Sequence, residues 1–155
     1  MATNSAALIM FIISQIEASD FDRLYEIEQQ AHLVPWSFGT LKNNQDERYL
    51  NLKLIENNQI IGFAICQTVS DEATLFNIAI VPSHQGNGLG KLLLNELIIQ
   101  LKEKGVQTLW LEVRESNPAR FLYEKIGFNE VDIRKNYYPK PSGGRENAVV
   151  MACYL

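Results

Sequence analysis

Two features of this chain could do chemistry. The first is Gln85-Gly86-Asn87-Gly88-Leu89-Gly90-Lys91, set between a β-branched apolar run and an amphipathic one. A glycine-rich turn that opens a helix leaves backbone N–H groups without intrahelical partners. The helix dipole adds positive potential there, and Lys91 can add a charge. The stretch reads as a site for the phosphates of a cofactor. The second feature is Glu112, the one charged residue in Thr108-Leu-Trp-Leu-Glu-Val113. In a strand, Leu109, Leu111 and Val113 face one way, and Trp110 and Glu112 the other. A carboxylate among apolar residues is expensive unless paired. Desolvation would raise its pKa toward the range useful to a general base. The bland alternative is a structural Glu paired with a nearby arginine such as Arg114.

These residues need a scaffold. Met10 to Ile16 is β-rich and gives a first strand. Ser19-Asp-Phe-Asp22 reads as a capping box, after which Phe21, Leu24, Ile27 and Ala31 share one helical face, and Pro35 ends that helix. Ser37 caps a short second helix running to about Asn44. Tyr49 to Ile55 and Ile60 to Val69, joined by Glu56-Asn-Asn-Gln59, form a hairpin. After a turn at Asp71-Glu-Ala, Thr74 to Val81 is a fourth strand, so the first four are largely antiparallel. Beyond the glycines, Leu89, Leu93, Leu97 and Leu101 recur at helical spacing, and Gly105 stands just past the end. Strand, helix and the strand carrying Glu112 make a crossover, which requires that pair to be parallel. Asn117-Pro118 starts another helix, with Asn as N-cap and Pro at N1, and Gly127-Phe128 closes it. Glu130 to Arg134 is a sixth strand, Pro139 to Gly144 a loop, and Asn147 to Tyr154 a closing strand. The expectation is an α+β domain with a mixed sheet of about seven strands and about four helices.

With 155 residues the chain suits a single domain spanning 1–155, residues 1–10 being a tail or an extension of the first strand. A net charge of −4 argues against binding nucleic acid through phosphate neutralisation and suits a basic partner. Cys66 and Cys153 lie in apolar runs and read as free core thiols of a reducing compartment. Ala6 to Ile13 lacks a basic flank and is too short to span a bilayer. The expected location is cytoplasmic, with no membrane partner.

Two phosphate motifs fail. A P-loop would need Gly where Gln85 stands and Ser or Thr where Leu92 stands. A dinucleotide loop needs G-x-G-x-x-G, whereas the spacing is Gly86-x-Gly88-x-Gly90, after the fourth strand of a hairpin-rich sheet. What is present, Gln85-Gly-Asn-Gly88-Leu-Gly90 between strand and helix, closely resembles the acetyl-CoA-binding motif of GNAT-type N-acetyltransferases. Pro35-Trp-Ser37, Asp71 to Ala79, Leu109 to Asn117, and Asn136-Tyr-Tyr-Pro139 with Gly144-Arg-Glu146 extend the resemblance to the ribosomal-protein-alanine N-acetyltransferases (RimI type).

The resemblance implies the GNAT acyl-CoA N-acyltransferase fold, with acetyl-CoA as co-substrate and no metal. It implies transfer of acetyl, directly in a ternary complex, to the N-terminal alanine of a small-subunit ribosomal protein. Backbone groups of Ile78, Ala79 and Ile80 would bond the pantetheine arm, and Gln85 to Lys91 the pyrophosphate. Asn117 would serve both the cofactor and its helix. Glu112 would be the general base. An α-amine, with pKa ~7.7–8.0 against ~10.4 for Lys, loses its proton with modest help. Tyr123 would be the general acid that protonates the departing thiolate, its bland alternative being a packed aromatic with its hydroxyl at the surface. Tyr137 and Tyr138 would shape the peptide groove, although neighbours in a strand point to opposite faces. His32 and His84 receive no chemistry. Two departures stand out: the N-terminal extension, and Pro118 and Arg120 in place of smaller residues. Arg120 is expected to put a positive charge near the acyl-transfer site. Rival readings are an acetyltransferase for a Lys side chain or small-molecule amine, and a non-catalytic acyl-CoA sensor.

Overall fold

The structure is a computed structural model describing residues 10–155, so the expectation for residues 1–9 lies outside the described residues. Seven strands form one sheet in the order β1-β2-β3-β4-β5-β7-β6. They are β1 (Phe11–Gln15), β2 (Leu52–Glu56), β3 (Gln59–Val69), β4 (Glu72–Ile80), β5 (Thr108–Arg114), β6 (Asn129–Pro139) and β7 (Arg145–Tyr154). Every neighbouring pair is antiparallel except β4 and β5, as the crossover requires. Four α-helices accompany them: α1 (Phe21–Ala31), α2 (Phe38–Asn43), α3 (Leu89–Glu103) and α4 (Ala119–Ile126).

Local chemistry explains most boundaries. Asn57 and Asn58 take left-handed conformations (φ 48° and 66°), the two-residue turn that matches strand twist between β2 and β3. Ser37 Oγ accepts from Thr40 N at 3.1 Å and starts α2. The expected box at Ser19–Asp22 lies elsewhere: Asp20 Oδ2 accepts from Glu17 N at 2.7 Å, and a short 3-10 turn precedes α1. Helix α1 also stops at Ala31, ahead of Pro35, because the chain then turns so that Trp36 N can reach the Glu28 side chain. Helices α3 and α4 both end on glycine. Val106 N bonds Leu101 O and Phe128 N bonds Tyr123 O, each spanning a glycine at positive φ, as in a Schellman ending.

The sheet has two apolar faces. Leu93, Leu94, Leu97 and Leu101 of α3 pack with Leu109, Leu111 and Val113 of β5 and with Leu75 of β4. On the other face, Phe21, Leu24 and Ile27 of α1 pack with Leu41, Phe63, Ile65 and Ala79. A bulge shifts β4 from one face to the other. Ile65 pairs with Asn77 and Cys66 with Leu75, leaving Phe76 unpaired. Below the bulge Ala73 and Leu75 face α3, whereas above it Asn77 and Ala79 face α1.

Candidate active site

Parallel pairing of β4 with β5 runs only from Glu72↔Thr108 to Leu75↔Leu111. Beyond that point β4 continues to Ile80 and β5 to Arg114, and the two strands part. The split opens a slot through the sheet, and a cleft of about 900 Å³ occupies it. Of the sequence-predicted residues, Ile78, Ala79, Ile80, Gln85, Gly86, Gly88, Leu89, Gly90, Lys91, Glu112, Asn117, Tyr123 and Tyr138 line this cleft. Asn87 and Tyr137 do not: Asn87 is exposed, its amide turned to His84 O at 3.4 Å.

At one end of the cleft stands the glycine turn. Gly86 and Gly88 have φ of 82° and 77°, a left-handed backbone that residues with a Cβ adopt only under strain. Among the described residues, no backbone N–H from Gly86 to Lys91 has a protein acceptor, and the helix proper begins with Leu92 N bonding Gly88 O. This is the donor array a pyrophosphate requires. Gln85 works inward: its Nε2 donates to Ile80 O at 2.9 Å and ties the turn to the strand before it. Upstream, Ile78 to Ile80 bond only β3, leaving their β5-side edge open. Such an edge can pair with an amide-bearing chain like pantetheine. The residues present therefore fit a CoA thioester.

Glu112 occupies the face opposite α3, as the alternation along β5 requires, since Leu111 and Val113 are buried against α3. Its surroundings differ from expectation. The side chain keeps 27% of its exposure and holds Arg134 Nε at 2.9 Å. Arg114, the partner that the bland alternative offered it, instead reaches Glu146 at 3.4 Å and Pro139 O at 2.8 Å, and lies over the Tyr138 ring. Hydrogen bonding and charge from Glu112 hold the Tyr137 phenol above its ordinary pKa. Tyr138 is pushed up to about 12, first by burial and then by the Glu112 charge. The two tyrosines do not point to opposite faces; their rings meet edge-on with centroids 5.0 Å apart. The cause is a register shift between Arg134 and Tyr138, where Asn136 is left-handed at φ 51° and strict alternation fails.

Tyr123 enters from the α3 side. Its ring is buried against Phe128, and desolvation pushes its pKa up to about 12. The hydroxyl bonds no described residue. No buried side-chain polar atom among them lacks a partner, so the hydroxyl opens into the cleft. The helix carrying it is held at both ends. Asn117 Oδ1 accepts from Ala119 N at 2.9 Å, which leaves the Asn117 amide NH₂ free, and the ending at Gly127 closes on Tyr123 O itself. Arg120 does not approach the cleft: it pairs with Glu130 at 3.4 Å and stacks on Phe121.

One cluster escapes a reading of the sequence. Glu28 is 1% exposed, and its carboxylate accepts from Trp36 N at 2.8 Å and Asn77 Nδ2 at 3.0 Å. His32 Nε2 meets Asn77 Oδ1 at 2.9 Å. All three side chains line the cleft on the Glu112 face. The available signal was a carboxylate on the apolar stripe of α1, between Leu24 and Ala31. Among the described residues no group of three or more His, Cys, Asp or Glu is placed to hold a metal ion, and no helix is long and apolar enough to cross a membrane.

Residues 13–128 match the acetyltransferase (GNAT) family model. The chain belongs to the GNAT acetyltransferase family. It is 90% identical to the [ribosomal protein bS18]-alanine N-acetyltransferase of Haemophilus influenzae, over 94% of this chain and 100% of that protein. The enzyme of the same description from Escherichia coli is 55% identical over 92% of this chain and 97% of its own length. The crystal structure of the ribosomal-protein-S18-alanine N-acetyltransferase from Escherichia coli superposes with a TM-score of 0.90, covering 94% of both chains. The GNAT fold expected from the glycine turn is therefore present, and with it an acetyl-CoA-dependent N-acetyltransferase.

Proposed function

We propose that this chain acetylates the N-terminal alanine of ribosomal protein bS18, the acceptor named for its relatives, by direct transfer within a ternary complex. The observation that carries the reading is the slot between β4 and β5, which brings Glu112 and Tyr123 to one cleft from opposite faces of the sheet. Acetyl-CoA, when bound, supplies an activated acetyl thioester. Gly86 to Lys91 bind its pyrophosphate through backbone N–H groups, and the open edge at Ile78 to Ile80 aligns its arm. Glu112 takes the proton of the acceptor amine, whose modest basicity makes a carboxylate sufficient. Tyr123 gives its proton to the departing thiolate, for which a buried, fully protonated phenol is suited. Tyr138, which lines the cleft beside Glu112, forms one wall of the peptide groove, and Tyr137 packs on it from outside. A ribosomal acceptor supports the expected cytoplasmic location.

The test is acetylation of peptides that differ only at the first residue, with ribosomal proteins from cells with and without the gene weighed intact. An alanine-first peptide is expected to react and its N-terminally blocked version to be inert. Acetylation of an internal lysine on the blocked peptide would instead support the lysine reading.

A further inference from the structure

We propose that His32 binds the acceptor peptide, its Nδ1 accepting a main-chain N–H, and that Glu28 and Asn77 are positioning residues that fix that lone pair; this rests on a peptide being the acceptor. An ionised carboxylate only accepts hydrogen bonds. With Glu28 buried and Asn77 beside it at 3.0 Å, the Asn77 amide must turn its NH₂ to Glu28 and its oxygen to His32. The 2.9 Å contact between Asn77 Oδ1 and His32 Nε2 then requires hydrogen on Nε2. Glu28 Oε1, 3.4 Å from the same nitrogen, is a second acceptor that keeps the hydrogen there, and in the neutral ring Nδ1 is left as a bare acceptor.

That nitrogen bonds no described residue. No buried side-chain polar atom among them is unpartnered, so Nδ1 faces open space, on a ring that lines the cleft. The place is specific. Above the β4 bulge Asn77 faces α1, and Glu112 lies on the same face across the slot. Glu28 also takes Trp36 N at 2.8 Å, so the carboxylate that sets the ring also anchors the loop after α1. His32 thus stands on the side where the amine must arrive, away from the glycine turn and Tyr123. An extended peptide presents N–H donors there, which an acceptor atom can meet.

Two substitutions separate binding from mere support. The Asn side chain places its oxygen where Nδ1 stands but cannot reach Asn77. The Gln side chain reaches Asn77 and has no atom at Nδ1. With an alanine-first peptide, H32Q is expected to raise the peptide KM about tenfold, with kcat and the acetyl-CoA KM within about twofold. H32N is expected to stay within about threefold of wild type throughout. A purely structural histidine gives the opposite order, H32Q normal and H32N impaired, and that result overturns the proposal, as does a wild-type peptide KM in H32Q. Calorimetric affinity of the CoA-saturated protein for the same peptide makes this comparison without turnover. Failure of the wild type to acetylate the peptide defeats the proposed function, whereas the wrong order of affinities defeats the role of His32.

Discussion

Glu112 and Tyr123, the proposed base and acid, lie in unlike surroundings. The carboxylate is part-exposed and paired with Arg134, whereas the phenol is buried with its hydroxyl open to the cleft. Replacing Glu112 with Gln is expected to lower kcat about a hundredfold near neutral pH while acetyl-CoA binding is kept, as measured by steady-state kinetics and calorimetry. Tyr123→Phe keeps the packing on Phe128 and loses the proton donor, so kcat should fall with little change in Tm. The pH profile carries a sharper expectation. A phenol at about 12 stays protonated far above neutrality, so Tyr123 imposes no alkaline fall in kcat below about pH 10. A fall at lower pH that Tyr123→Phe abolishes would assign that titration to Tyr123 and overturn its raised pKa, whereas an unchanged kcat in Tyr123→Phe would remove it from the acid role.

At the scale of elements, the helix that carries Tyr123 depends on how it stops. Gly127 sits at φ 126°, a backbone conformation that costs a residue with a side chain ~1–3 kcal/mol. Its Cβ would stand 3.6 Å from Cys153 Sγ, an ordinary contact, so the penalty is conformational. Gly127→Ala should therefore lower Tm and reduce kcat, because the altered ending acts on the turn that holds Tyr123. Much at this scale was legible beforehand. The leucines of α3, the Ser37 cap, the Asn57-Asn58 turn and the alternation around Glu112 are local patterns whose periodicity is written in adjacent residues. The partner of Glu112 was not legible. Arg134 reaches it from β6, whose register with β7 shifts just beyond that residue, and a bulge leaves no reliable trace in alternation. The Glu28–Asn77 pair was hidden for a related reason, since its members are 49 residues apart and meet only once β4 has changed faces.

Across the molecule, the buried protons set an alkaline limit. Cys66 is raised from 9.0 to about 12 by burial, and Tyr123 and Tyr138 from 10.0 to about 12. A group whose folded pKa is raised binds its proton more tightly when native. Its contribution is complete below the unfolded pKa and disappears as pH climbs through the folded one. On the alkaline side of neutrality, stability should thus hold to about pH 9 and decline from there toward about 12, followed by denaturant melts across that range. Cys66→Ala should flatten the earliest part of the decline.

The parting of β4 and β5 has a consequence for descent as well as for catalysis. Because the slot passes through the sheet, the residues proposed to hold the cofactor's phosphates and those proposed to meet the acceptor lie on opposite sides of one layer. On the proposed assignment, changes in the loop after α1, or in the β6–β7 hairpin, would retarget the enzyme while the glycine turn stays as it is. A lineage built this way can explore new acceptors one substitution at a time without passing through a form that has lost its acetyl donor.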